Sequence, residues 1–130
     1  DISKAYPDEA GVITLKRTIR LNRTKNVQVE DVINLKQANE LTEHLMTCYP
    51  AEVTKPGELV IHYTPSGGTA RDFRVRYNKD QLQASVEKVV LDDPEDKGVI
   101  EHWGDNIYRI NFKSTHPKTS EKISFEIAAK

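Results

Sequence analysis

The sequence predicts an all-β protein, a β-sandwich of two antiparallel sheets with about 8–10 strands in total. Apolar and polar residues alternate repeatedly with a period of two, which is typical of strands with one buried face. Turn signals recur about every 8–15 residues, and no amphipathic helical segment reaches about 12 residues. Because 130 residues is an ordinary length for one domain, residues 1–130 are predicted to form a single domain.

The first two strands are predicted on either side of the turn "RTKN", residues 23–26. Each strand carries an apolar row on one face, interrupted once, by Arg17 in the first strand and by Asp31 in the second. In a hairpin folded about Thr24 these residues lie nearly opposite each other and face inward, unless a β-bulge shifts the register. We expect an Arg17–Asp31 ion pair, because burying either charge alone would be unfavourable. The rows are Ile13, Leu15, Ile19 and Leu21, then Val27, Val29, Ile33 and Leu35.

The rest of the chain repeats the alternating pattern between turns. "LQASVEKVVL" suits a strand or a helix, and its valines favour a strand. "DDPEDKG" is predicted to be an acidic loop, and Pro56-Gly57 and "PSGG" are predicted to be turns. The further strands are expected near residues 41–46, 59–63, 73–77, 82–91, 106–114 and 122–129.

Charge narrows the classes of partner. The net charge of −1 argues against strong attraction to nucleic acid, and no apolar run approaches the roughly 18–20 residues of a membrane span. Residues 10–26 contain five bases and no acid, whereas residues 87–105 contain seven acids and two lysines. We expect these segments to neutralise each other; the alternative is a surface with two poles.

No catalytic residue, metal site or cofactor is predicted. The histidines are not paired at metal-ligand spacing, and the single Cys48 has no partner for an internal disulfide. The acidic residues 92–96 lack the alternating spacing of a calcium loop, so we expect a solvated connection. The histidines are His44, His62, His102 and His116.

Trp103 and a set of basic residues are the candidates for substrate binding. Trp103 is expected to close one end of the sandwich; the alternative is an exposed platform on which a sugar ring stacks. The basic residues project from predicted strand faces. They would form a cationic stripe for a sulfated or uronate polysaccharide if their strands were neighbours; the alternative is a solvated face balanced by acids. These residues are Lys16, Arg20, Arg74 and Arg76.

Four segments, taken in order, resemble the carboxy-terminal region of heparinase II/III-like polysaccharide lyases. They are "KAYPDEAGVITLKRTIRLNR" (4–23), "VEDVINLK" (29–36), "PGELVIHY" (56–63) and "HWGDNIYRINF" (102–112). Each motif alone has little specificity, so the resemblance depends on the order and spacing of all four. It covers nearly the whole chain.

The resemblance implies an α/α toroid followed by an antiparallel β-sandwich, in a secreted or periplasmic enzyme that cleaves acidic polysaccharide by β-elimination. The Tyr and His residues that act as base and acid in that family match no position here, and neither does its metal site. The resemblance thus implies a noncatalytic carboxy-terminal domain whose partners are upstream catalytic domains of the same polypeptide. We therefore expect the chain, which starts at Asp1 without an initiator Met, to be a processed or excised piece.

Two other classes of function stay open. The first is an independent carbohydrate-binding module for anionic glycans, which would use Trp103 and the arginine-bearing strands. The second is a structural domain that binds another protein.

Overall fold

The structure, a computed structural model, describes all 130 residues and contains nine strands in two antiparallel sheets. The predicted all-β sandwich is confirmed. The longest helix has seven residues, and no helix has the length and apolar character needed to cross a lipid bilayer. The elements are β1 (Val12–Asn22), β2 (Asn26–Asn39), β3 (Thr42–Thr47), β4 (Ala51–Lys55), β5 (Glu58–Tyr63), β6 (Arg71–Tyr77), β7 (Leu82–Val90), α1 (Lys97–Trp103), β8 (Asn106–Ser114) and β9 (Lys118–Ala129), with 3₁₀ turns at Ser3–Ala5, Asp8–Ala10 and Pro94–Asp96.

The two sheets differ in width. The large sheet has six strands in the order β1-β2-β9-β6-β5-β4, and the small sheet has three in the order β3-β8-β7. The β1–β2 hairpin forms one edge of the large sheet, and β9 returns from the end of the chain to pair with both β2 and β6. This closing pairing ties the first hairpin to the middle of the domain.

The core lies between the sheets, where the inward-facing residues of the alternating strands meet. Phe112 in β8 is at its centre, with its ring centroid 5.1 Å from that of Tyr77 and 4.5 Å from that of Phe125. These aromatic contacts join the small sheet to β6 and β9. The buried cluster consists of Leu15, Ile33, Leu35, Leu59, Val75, Leu82, Ile110, Phe112, Ile123 and Phe125.

A β-bulge at the start of β1 changes part of the predicted apolar row. The register shifts between Val12 and Thr14, so that Val12 packs against the core and Ile13 is exposed. From Leu15 onward the pairing is regular, with Leu15 opposite Ile33. Ile13 therefore does not share the inward face of Leu15, because the extra residue of a bulge reverses the alternation.

Two elements were missed in the sequence. β4 precedes the turn at Pro56-Gly57 and pairs with β5 in an antiparallel hairpin. The acidic segment after β7 is not only a loop, because a 3₁₀ turn and then α1 follow Asp93. The Asp93 carboxylate accepts a hydrogen bond from the Glu95 backbone N–H at 2.9 Å, and Pro94 occupies the next position. This Asp-Pro pair is a known helix-start signal.

The small sheet is too narrow to cover the whole inner face of the large sheet. β1 packs mainly against β2 and the first 3₁₀ turn. Ile19 and Leu21 lie on the inner face, paired with Val29 and Val27, yet these residues are 66% and 69% exposed. The tip of the β1–β2 hairpin thus extends beyond the covered core and presents apolar side chains to solvent.

Two isoleucines on neighbouring strands test this description. Ile33→Ala, at a site that is 1% exposed, is expected to lower the free energy of unfolding by about 2–5 kcal/mol, because it opens a cavity. Ile19→Ala is expected to lower it by less than about 1 kcal/mol, because little contact is lost. Urea unfolding of both variants checks this, and equal losses would contradict the exposure of Ile19.

Candidate interaction site

An ion cluster marks the place where the covered core ends. Arg17 in β1 pairs with Asp31 in β2, as the two apolar rows predict. The Arg17 guanidinium donates to both oxygens of Asp31, from Nε to Oδ1 at 2.8 Å and from Nη2 to Oδ2 at 2.6 Å. Asp31 is fully buried, and this two-point contact offsets the unfavourable burial of its charge. The hydrogen bond to Asp31 also raises the pKa of Arg17.

Glu43 in β3 completes the cluster and was missed in the sequence. Arg17 Nη2 donates to Glu43 Oε2 at 2.8 Å, so one guanidinium bridges the large and small sheets. Burial is the largest cause of a raised pKa of Glu43, and the negative charge of Asp31 is the second. The positive charge of Arg17 acts in the opposite direction and lowers this pKa. The signal was available, because Glu43 interrupts the apolar pair Leu41 and Leu45 just as Arg17 and Asp31 interrupt their rows.

Beyond the cluster, the outer edge of β1 has free backbone groups. The Leu15 carbonyl accepts a hydrogen bond from the Ile2 N–H at 2.8 Å, so the backbone groups of Leu15 point away from β2. Because these directions alternate along a strand, the N–H and C=O groups of Arg17, Ile19 and Leu21 point the same way. No backbone group outside the sheet ladders bonds to these three residues.

The opposite face of β1 carries basic side chains without acidic partners. Lys16 and Arg20 are exposed, and neither takes part in a salt bridge. Glu30, on the adjacent strand, is paired instead with Lys122 at 2.6 Å. We define the hairpin edge as the exposed side chains of Lys16, Ile19, Arg20 and Leu21 together with the free backbone of β1.

The condition for a cationic stripe, that the strands bearing these basic residues are neighbours, is not met. Lys16 and Arg20 are in β1, whereas Arg74 and Arg76 are in β6, and two strands separate β1 from β6. Arg76 lies within salt-bridge distance of two acids, at 3.9 Å from Glu58 and at 3.5 Å from Glu126. Arg74 lies 4.0 Å from Glu58. The intervening carboxylates break the row of positive charge on this face.

Trp103 is the last residue of α1 and is half-exposed, at 50%. Gly104 ends the helix with a φ of 84°, and its N–H donates to the Ile100 carbonyl. Because half of Trp103 is exposed, its ring is not a buried plug at the end of the sandwich. No aromatic pair includes Trp103.

The histidines lie apart from one another. His62 is held between Asp72, 2.9 Å from Nδ1, and Glu52, 3.5 Å from Nε2. The hydrogen bond to Asp72 raises the pKa of His62 above its ordinary value of 6.5, while desolvation lowers it. His44 bonds to the Asn111 side chain. No group of three or more His, Cys, Asp or Glu side chains is placed to hold a metal ion.

A polar pocket of about 490 Å³ lies where β7 and β9 begin and β8 ends. Glu121, a second residue missed in the sequence, borders it and is buried; its Oε1 accepts from the Ser114 hydroxyl at 3.2 Å, whereas Oε2 has no partner. Because Oε2 is shielded from solvent, a molecule in the pocket cannot reach it unless the side chain moves. The pocket is lined by Asn78, Asp80, Gln81, Thr115, His116, Lys118 and Glu121.

No model of a known protein family matches the chain. A search of curated proteins also returns no match.

A double-mutant cycle tests the ion cluster. Arg17→Met is expected to lower the free energy of unfolding by about 3 kcal/mol, because it leaves the buried Asp31 without a counter-charge. In an Asp31→Leu background the same change is expected to cost only about 1 kcal/mol, because the guanidinium has then lost its main partner. Arg20→Met, three positions along the strand, should change stability by less than about 0.5 kcal/mol. Equal losses in both backgrounds would show that Arg17 and Asp31 are not coupled.

The raised pKa of Glu43 predicts a pH-dependent stability difference. A carboxyl whose pKa in the folded protein exceeds its ordinary value of 4.5 binds its proton more tightly in the folded than in the unfolded state. The stabilisation that protonation of Glu43 gives to the folded state is therefore complete below pH 4.5 and is lost as the pH rises through the folded pKa. The stability of the parent protein relative to Glu43→Gln should therefore rise on acidification. Chemical unfolding at a series of pH values measures it, and a difference that does not vary with pH contradicts the assignment.

Proposed function

We propose that this chain is the noncatalytic carboxy-terminal β-sandwich domain of a heparinase II/III-like polysaccharide lyase, and that it braces the catalytic domains of that enzyme. The proposal combines the order of the four resembling segments with an all-β architecture of the kind that the resemblance implies. The substrate would be an acidic polysaccharide cleaved by β-elimination. The enzyme would work in the periplasm or outside the cell, and the catalytic Tyr and His would lie in the upstream domains.

The observation that carries the bracing role is the hairpin edge. Ile19 and Leu21 are exposed on the inner face of the large sheet, and Ile19 is in register with the core residue Phe125 two strands away. Apolar side chains on an unpaired edge strand are a liability unless another polypeptide segment covers them. A domain that packs against a neighbour has a reason to keep them.

A carbohydrate-binding module is the second candidate, and the half-exposed Trp103 favours it. An indole that is half exposed to solvent can stack against the apolar face of a sugar. The basic residues support this candidate less, because Arg74 and Arg76 lie beside carboxylates and are two strands away from Lys16 and Arg20.

An elimination assay tests the proposed function. The 130-residue protein is expected to release no unsaturated uronate from heparin, heparan sulfate or alginate, whereas the polypeptide extended upstream of Asp1 in its own reading frame is expected to release it from at least one. The double bond formed by elimination absorbs in the ultraviolet, so absorbance measures the product directly. Product from the isolated chain, or none from the extended polypeptide on any acidic polysaccharide, contradicts the proposal.

Heparin affinity chromatography separates the second candidate from the first. As a bracing domain, the 130-residue protein is expected to leave immobilised heparin at or below physiological salt. Retention above that salt concentration that Trp103→Ala or Arg74→Ala abolishes would favour the binding module instead.

A further inference from the structure

We propose that the hairpin edge is completed by an extended segment in which apolar and acidic residues alternate, added as a seventh strand beside β1. The inference rests on the proposed function for the source of the segment, which is the neighbouring domain that this chain braces. It goes beyond that function by specifying the contact as strand addition and the chemistry of the added strand. Strand addition to an exposed sheet edge is a common mode of peptide recognition.

The backbone of β1 supplies the hydrogen bonds. Asp1 and Ile2 already occupy the edge beside Leu15, where Ile2 donates to the Leu15 carbonyl and the Leu15 N–H donates to the Asp1 carboxylate at 3.3 Å. From Arg17 to Leu21 the edge is open. Arg17, Ile19 and Leu21 each offer one N–H and one C=O group there. An added strand could pair with these groups in either the antiparallel or the parallel direction.

The side chains of β1 specify the added strand on both faces. On the inner face, Ile19 and Leu21 offer apolar area, so the facing residues should be apolar. On the outer face, Lys16 and Arg20 lack acidic partners, so the facing residues should be acidic. Because side chains alternate between faces, the added strand should have apolar and acidic residues at successive positions.

A second copy of the chain fits this edge poorly. If two β1 strands paired antiparallel about Thr18, Lys16 of each copy would lie opposite Arg20 of the other. Like charges directly opposite each other destabilise a strand pair. The segment 10–26 contains five bases and no acid, so no register of self-pairing within it gives these cations an acidic partner on the other copy. The charges that disfavour self-pairing are those that favour an acidic strand.

Peptide titration of the 130-residue protein tests the inference. The probe is a ten-residue peptide in which valine and glutamate alternate, and the matched control has lysine in place of glutamate. We expect the acidic peptide to shift the amide resonances of Arg17, Ile19 and Leu21 and to slow their hydrogen exchange. The basic peptide should bind roughly tenfold more weakly or not at all, because its charges face Lys16 and Arg20.

Two variants locate the contact. Ile19→Pro removes a backbone N–H that points away from β2, so the β1–β2 ladder is kept while binding of the acidic peptide is lost. Arg20→Glu introduces no proline, so its result does not depend on whether the fold accepts proline at position 19. It should reverse the preference between the two peptides, so that the basic peptide binds better than the acidic one. Lys88→Glu in β7 makes the same change of charge on the small sheet and should leave the preference unchanged.

Four results would overturn the inference: no shifts at millimolar peptide, equal binding of both peptides, shifts that map to another surface, or self-association of the protein through β1. The titration is independent of the elimination assay. Failure of the titration while the extended polypeptide is an active lyase contradicts strand addition alone. Peptide binding without any lyase activity contradicts the proposed function alone.

Discussion

The contact of Arg17 with Asp31 and Glu43 is the interaction on which the first hairpin depends. It brings three strands together at the point where the small sheet stops covering the large one. On one side of it, Leu15 and Ile33 are buried in the core; on the other, Ile19 and Leu21 are exposed. The buried carboxylate of Asp31 and the partly buried one of Glu43 are tolerated side by side because one guanidinium reaches both acids.

The unequal width of the sheets gives the domain two kinds of surface. Over β9, β6 and β5 the small sheet closes the core with tightly packed aromatic and aliphatic side chains. Beyond Arg17 the β1–β2 hairpin keeps the alternation of a buried strand, although nothing within the chain covers it. Its apolar row and its free backbone edge are arranged as they would be in a wider sheet, which explains why this surface, and not the dispersed arginines of β6, is the best candidate for an interaction.

Most of the fold was predictable because alternation reports burial directly. The inward rows at Leu59, Val75, Ile110 and Phe112 were predicted. The ion pair was predicted too, because a hairpin folded about Thr24 without a bulge near Arg17 puts the two interruptions opposite each other. Sequence alone could not show that Lys16 and Arg20 are far from Arg74 and Arg76, because the insertion of β9 between β2 and β6 is a long-range pairing. It also gave no measure of how far the small sheet extends, so Ile19 and Leu21 were expected in the same row as Leu15 without any indication that they are exposed.

Amide hydrogen exchange along β1 is the most direct test of whether this hairpin is built to be covered by another segment. In the 130-residue protein, the amides of Ile19 and Leu21 should exchange rapidly, whereas those of Thr18 and Arg20, which face β2, should be protected. In the polypeptide extended upstream, Ile19 and Leu21 should become as protected as their neighbours. Rapid exchange at these two positions in both proteins would contradict the account.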